Sequence, residues 1–252
     1  MKSALFGAAV VLLAATSSAT ATGIPKYVTD AIANVDRGSD QTKSDANRKP
    51  AEMATFAGVK PGDTVVDLVP GRGYFTTIFS NIAGAKGHVY AFWPSEMDPL
   101  FAKFNIEVPK DGANLPSLSN ASVVHKALVS FSTPTEPDVI WTSQNYHDFH
   151  NDMGADFDIS AMNTAIFNAL KPGGVFIVLD HVGTPGSGLA ETDTKHRIDP
   201  EIVKKEVIAA GFVFEGESNA LRNPADDHSK GVFDPSIRGK TDQFVYKFRK
   251  PE

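Results

Sequence analysis

The chain has 252 residues, is 42% hydrophobic and carries a formal net charge of -6. A chain of this length buries well over half of its unfolded surface and needs no crosslinks, in keeping with the absence of cysteine. The acidic balance, with no dense basic run, argues against a nucleic-acid partner, whose phosphates are held by Lys and Arg.

The first residues stand apart. Lys2 is followed by an apolar stretch, Ala4 to Ala15, then Ser17, Ser18 and Ala19-Thr20-Ala21. This is the three-part pattern of a secretory signal peptide over residues 1–21, with cleavage after Ala21 and a periplasmic or secreted mature protein starting at Thr22. The apolar stretch is short of the roughly 20 residues needed to span a bilayer. No other segment is long and apolar enough to do so, so no membrane span is expected after cleavage.

Residues 22–49 read as a separate N-terminal region. It holds a helix, Pro25 to Val35, with Tyr27, Val28, Ala31, Ile32 and Val35 on its apolar face, and a polar loop, Asp36 to Asn47. The main domain then runs over 50–252. It opens with a helix from Pro50 to Phe56, with proline in the first turn, and a turn at Gly58-Val59-Lys60-Pro61-Gly62-Asp63. Strands and helices alternate from there. Strands are expected at Thr64–Val69, His88–Phe92, Ala121–Val124, Asp138–Thr142 and Val175–Asp180. Helices are expected at Tyr74–Ala83, Ser160–Leu170 and Pro200–Ala210, the last capped by Asp199. The final strands, Phe212–Glu217 and Gln243–Phe248, are joined by a long polar excursion instead of a crossover helix and are expected to pair antiparallel. The pattern predicts a doubly wound, mostly parallel sheet with a reversed last strand in a three-layer α/β/α sandwich.

Val65-Val66-Asp67-Leu68-Val69-Pro70-Gly71-Arg72-Gly73-Tyr74 carries the main chemical signal. An apolar strand ends in an acidic residue and a Gly-x-Gly turn, and a helix follows. Such glycines let the backbone approach a ligand, and the helix N-terminus offers free N–H groups. Dinucleotide-binding proteins share this much. Ala169-Leu170-Lys171-Pro172-Gly173-Gly174 before the fifth strand and the reversed last strand sharpen it.

Together these features resemble the class I S-adenosylmethionine-dependent methyltransferases, with their Rossmann-like fold, from about Pro50 to the C-terminus. In more detail the chain is similar to a branch of predicted methyltransferases, often exported in bacteria. That branch shares Asn145-Tyr146-His147-Asp148, Asp180-His181, His196-Arg197-Ile198-Asp199 and Gly239-Lys240-Thr241-Asp242-Gln243-Phe244. The resemblance implies S-adenosylmethionine as cofactor, bound along Asp67, Pro70, Gly71, Gly73, Tyr74, Trp93 and Asn145, and a small-molecule substrate. The sequence departs from that family at three places. Val69 replaces the first glycine of the motif, Phe92 or Trp93 stands where an acidic residue binds ribose (with Glu96 nearby), and His125-Lys126 replaces an Asp near adenine. A donor made in the cytoplasm also sits awkwardly with an exported protein. A repurposed fold, either a ligand-binding pseudoenzyme or a metal-dependent enzyme, is the alternative.

Polar clusters fall where open α/β sheets bind ligands, beyond the carboxyl ends of the strands. Five of the seven histidines belong to them or to the excursion loop: His147, His150, His181, His196 and His228. His147 or His181 suits a general base, oriented by Asp148 or Asp180, with Tyr146 as a further catalytic candidate. The same set suits a divalent metal held by His147, Asp180, His181 and His196. Arg197 is expected either to clamp an anionic substrate or to pair with Asp180.

Overall fold

The computed structural model describes residues 23–35, 37–151 and 157–252. The expected signal segment, 1–21, lies outside them. Nine helices are found among the described residues: α1 (Lys26–Ile32), α2 (Ser39–Thr42), α3 (Asp45–Arg48), α4 (Pro50–Ala57), α5 (Tyr74–Ala83), α6 (Asp98–Lys103), α7 (Ile159–Ala169), α8 (Thr192–Lys195) and α9 (Pro200–Ala209). The seven strands are β1 (Thr64–Leu68), β2 (His88–Pro94), β3 (Ala121–Lys126), β4 (Val139–Ser143), β5 (Val175–His181), β6 (Val213–Glu217) and β7 (Gln243–Arg249).

The strands form one sheet in the order β3-β2-β1-β4-β5-β7-β6. β1 to β5 run parallel, and β7 is antiparallel to both β5 and β6. This is the doubly wound, mostly parallel architecture with a reversed last strand that the sequence predicts. Covering a parallel sheet on both faces makes its central strands apolar throughout. Every residue of β1 and of β5 is buried accordingly.

One face packs α5, α1 and α4 against Val65, Trp141, Ile177 and Val245. The other carries α7 and α9 against Ile140, Phe176, Val178 and Phe248. Trp141 is fully buried between Phe75 and Phe79 of α5, with ring centroids at 4.6 and 5.5 Å.

Three local readings are corrected. The helix expected over Pro25 to Val35 is shorter, and Val35 is 93% exposed, outside the apolar face. The polar stretch expected as a loop from Asp36 to Asn47 holds the short helices α2 and α3. The helix α6 was not expected; Pro99 in its first turn starts it, and Phe101 anchors it against Trp93.

Candidate functional site: a cleft at the glycine turn and a histidine cluster beyond it

The turn after β1 takes its shape from left-handed residues at three alternate positions. Val69 has φ 58°, Gly71 56° and Gly73 72°. For the glycines this conformation carries no steric penalty, but a β-branched residue there is an outlier. Two contacts hold Val69 in place: its N–H donates to the Phe92 carbonyl at 2.9 Å, and its carbonyl accepts from Asn145 Nδ2 at 3.3 Å. The left-handed backbone at this position is thus kept without a glycine.

A cleft of about 610 Å³ opens beside this turn. Pro70, Gly71, Gly73 and Trp93, four of the seven residues expected to bind cofactor, line it. A Cβ placed on Gly71 meets nothing within 4 Å, so that backbone faces open space. Trp93 is 5% exposed and its Nε1–H has no acceptor. The cleft therefore combines a bare backbone turn at a helix N-terminus with an unused indole donor, which fits a nucleoside-bearing ligand.

The other three expected cofactor residues sit behind the turn. Asp67 is buried, and its Oδ2 accepts from Thr76 Oγ1 at 2.6 Å. Burial raises its pKa to about 7, against the opposing hydrogen bond from Thr76 and the charge of Arg48. Tyr74 donates its hydroxyl to Asp45 Oδ1 at 2.6 Å and lies beneath the Arg48 guanidinium, 4.6 Å from the ring centroid. Asn145 is spent on the Val69 and Ser143 carbonyls. These residues brace the turn.

Glu96, the nearest acidic residue to the ribose position, is turned away; its Oε1 accepts the Leu128 N–H at 2.7 Å. The acidic side chain that does line the cleft is Glu107, on the loop between α6 and β3, with Phe104, Asn105 and Ile106. Sequence reasoning missed these four, since nothing in an irregular polar loop marks which side chains fold back over a neighbouring strand. Gln41 and Thr77 also reach the cleft wall, joined by a hydrogen bond of 3.0 Å.

Beyond β4 and β5 the histidines separate into distinct groups. Asp180, fully buried at the end of β5, accepts the His147 N–H at 2.8 Å and the His181 N–H at 2.7 Å, and its Oδ1 lies 2.8 Å from His147 Nδ1. On the other side of the ring, His147 Nε2 is 3.2 Å from Asp148 Oδ1 and 3.2 Å from His196 Nδ1. Burial works against a charge on His147, but Asp180 and Asp148 outweigh it and raise the imidazole to about 10. Burial likewise pushes Asp148 up, and His147 and His196 override it to bring the carboxyl down to about 2. Two carboxylates thus flank the His147 ring and favour its charged form over burial.

His181 behaves in the opposite way. Burial lowers it to about 4, with Asp180 opposing. Its Nδ1 contacts Thr241 Oγ1 at 2.7 Å, and its ring centroid is 6.1 Å from that of His147. It is the imidazole that is neutral at neutral pH. Of the four residues expected as a metal set, Asp180 is engaged by the His147 ring and two backbone donors. Among the described residues, the ligand atoms that converge are those of His147, Asp148 and His196.

Tyr146 is not part of this cluster. It is fully buried, with its hydroxyl donating to Glu206 at 3.0 Å and accepting from Asn163 at 2.8 Å, and burial with Glu206 beside it raises its pKa well above the ordinary phenol value. His150 contacts the same Glu206. Arg197 pairs with Asp226, not Asp180: its Nη2 donates to both carboxylate oxygens at 3.0 and 2.8 Å, and its Nη1 to the Val182 carbonyl. Asp199 caps α9 through the Glu201 N–H, as expected.

By sequence, the chain matches no family model and no curated protein. Solved structures do resemble it. A SAM-dependent methyltransferase from Aquifex aeolicus aligns with a TM-score of 0.54 at 17% identity, over 84% of this chain and 97% of that one. The [4+2]-cyclase SpnF aligns at 0.55 and 16%, over 87% and 85%. Human N-acetylserotonin methyltransferase, solved in complex with SAM, aligns at 0.51 and 15%, over 85% of this chain and 54% of the human one. The strand order, the glycine turn after β1 and these likenesses give one conclusion: the chain has the class I, Rossmann-like methyltransferase fold.

Proposed function

We propose that the protein is an S-adenosylmethionine-dependent methyltransferase of the cell envelope that acts on a small molecule. The observation that carries this is the cleft at the Gly71–Gly73 turn, with the unpartnered Trp93 indole in its wall. Pro70, Gly71, Gly73 and Trp93 would hold the cofactor, with Glu107 as a carboxylate for ribose hydroxyls. Bound there, S-adenosylmethionine supplies an electrophilic methyl group on a sulfonium. The chain's own residues orient an acceptor and manage its proton. His181, whose burial favours the neutral ring and whose Nδ1 contacts Thr241 Oγ1 at 2.7 Å, is the base of this reading. Asp67, Tyr74 and Asn145 position the turn. The signal-like segment 1–21 supports the envelope location, and protein recovered from that compartment should begin at Thr22.

Calorimetric titration of the chain from Thr22 with S-adenosylmethionine, and then with its demethylated product, is the test. Micromolar affinity, abolished by Gly71→Leu in a protein with an unchanged circular dichroism spectrum, is expected. No heat up to millimolar ligand from folded protein would remove the donor and leave a fold put to another use. Val69 at the first glycine position is a departure from the motif of the enzymes this chain resembles, and it favours that second reading. SpnF, a cyclase of this fold, illustrates that the architecture does not dictate methyl transfer.

A further inference from the structure

We infer that His147 Nε2, Asp148 Oδ1 and His196 Nδ1 form a three-ligand site for a zinc-type divalent cation, with its fourth position open to solvent or substrate. The inference does not depend on donor binding in the cleft.

The distances decide between two accounts of this cluster. The three ligand atoms form a nearly equilateral triangle with edges of 3.2, 3.2 and 3.5 Å. As hydrogen bonds these contacts are poor. Neutral and charge-assisted N–H···O bonds centre at about 2.7–3.0 Å, and here a single Nε2 proton would be divided between an imidazole nitrogen and a carboxylate oxygen, both at the long end of the range. As edges of a coordination polyhedron they are right. A tetrahedral zinc with ligands at about 2.0–2.1 Å places those ligands roughly 3.3–3.4 Å apart.

The surroundings are arranged as metal sites arrange theirs. His147 Nδ1 meets the fully buried Asp180 carboxylate at 2.8 Å, which fixes the ring and turns Nε2 toward the cluster. This carboxylate–histidine pairing is the usual outer shell of a zinc ligand. Asn151 Nδ2 donates to Asp148 Oδ1 at 3.0 Å and holds the third ligand. His196 is the left-handed C-cap of α8, at φ 54°, and its N–H donates to the Thr192 carbonyl at 3.1 Å, which sets the ring's place at the end of that helix. Its ring stands edge-on to His147, with centroids 5.3 Å apart.

The set of two imidazoles and one carboxylate suits zinc and other divalent transition ions, and suits calcium or magnesium poorly. The His147 and Asp148 side chains are 3% and 16% exposed, whereas that of His196 is 29% exposed, so the triangle opens on the His196 side. Three protein ligands with one accessible position is the arrangement of zinc sites that bind a water or a substrate oxygen.

The test uses the full mature chain, stripped with chelator and dialysed. Zinc chloride is titrated by calorimetry, and cobalt(II) chloride by visible absorption. The expected result is one equivalent of zinc bound at micromolar affinity or better, with cobalt giving the intense visible bands of four-coordinate geometry. His196→Asn, chosen because asparagine tolerates the left-handed backbone, should lower zinc affinity by at least about a hundredfold, given that losing even an outer-shell partner costs 10–100-fold. Asp148→Asn provides a second variant should the first unfold. Failure of the wild-type chain to bind zinc below millimolar concentration, or unchanged affinity in a folded ligand variant, would overturn the site. Neither result bears on S-adenosylmethionine in the cleft.

Discussion

Asp67 ends the strand that leads into the glycine turn, and its environment makes it a titrating group near neutrality. In the fold it titrates at about 7, against 3.8 for an ordinary aspartate. The native state therefore keeps this proton across a range in which the unfolded chain has lost it. The stability tied to the proton is complete below about pH 4 and is lost as pH rises to about 7, because there the native state binds more protons than the unfolded one. Asp67→Asn removes the titration. Urea melts between pH 4 and 8 should show a flatter stability profile for the variant, with the difference from wild type largest at neutral pH; an unchanged slope would mean that Asp67 ionises freely. None of this was legible in sequence. Asp67 reads there as a cofactor ligand by its place in the motif, and only the packing of Thr76 and Arg48 around it reveals a buried brace. Val69 shows the same limit. Its identity flags a departure from the glycine pattern, but only the structure shows that the backbone stays left-handed and is held from β2 and from Asn145.

At the scale of elements, the long excursion between β6 and β7 is tied down by ions. Arg197, just before α9, reaches Asp226 in the excursion, and Asp226 also accepts the Asp242 N–H at 2.7 Å. Arg222 and His228 both contact the Asp242 carboxylate. Asp226→Ala leaves a fully buried guanidinium without its counter-charge, and breaking a buried pair in this way costs about 3–5 kcal/mol. Thermal melts should show that loss, and limited proteolysis should cut within 218–242 faster than in wild type. A cost near zero would mean that the Val182 and Lys230 carbonyls satisfy Arg197 alone. Elements themselves were largely readable, because central strands such as Val175–His181 are apolar from end to end and glycine or proline marks most boundaries. Strand ends were misjudged by one or two residues where pairing with a neighbour continues past the apolar run, as at His125 and Lys126 opposite Trp93 and Pro94. The cluster of His147, Asp148 and His196 was half legible. Two of its members were named as metal ligands, but the choice of Asp148 over Asp180 depends on which carboxylate the backbone has already occupied.

At the scale of the molecule, the N-terminal region and the main domain share one core. Val28 and Ala31 of α1 are buried among Phe75, Ile78 and Phe79 of α5. Arg37 pairs with Asp45, which accepts the Tyr74 hydroxyl at the head of the same helix. A chain starting at Pro50, where composition suggests a boundary, should lose several kcal/mol of stability, since burying one valine alone is worth about 1.5–3 kcal/mol. Guanidinium denaturation of the two chains compares them directly, and equal midpoints would make residues 22–49 dispensable.

The position of β7 also governs the order of events as the chain is made. It is the last strand in chain order, Gln243 to Arg249, yet it lies between β5 and β6 and buries Phe244, Val245, Tyr246 and Phe248. Until it arrives, β5 presents an unpaired edge and β6 has no partner in the sheet. A chain made as far as β6 can assemble β1 to β5 but cannot join β6 to them, so the sheet is completed only when β7 takes its place. The strand that comes last in the sheet's sequence order is thus the one that commits its other six to a single assembled state.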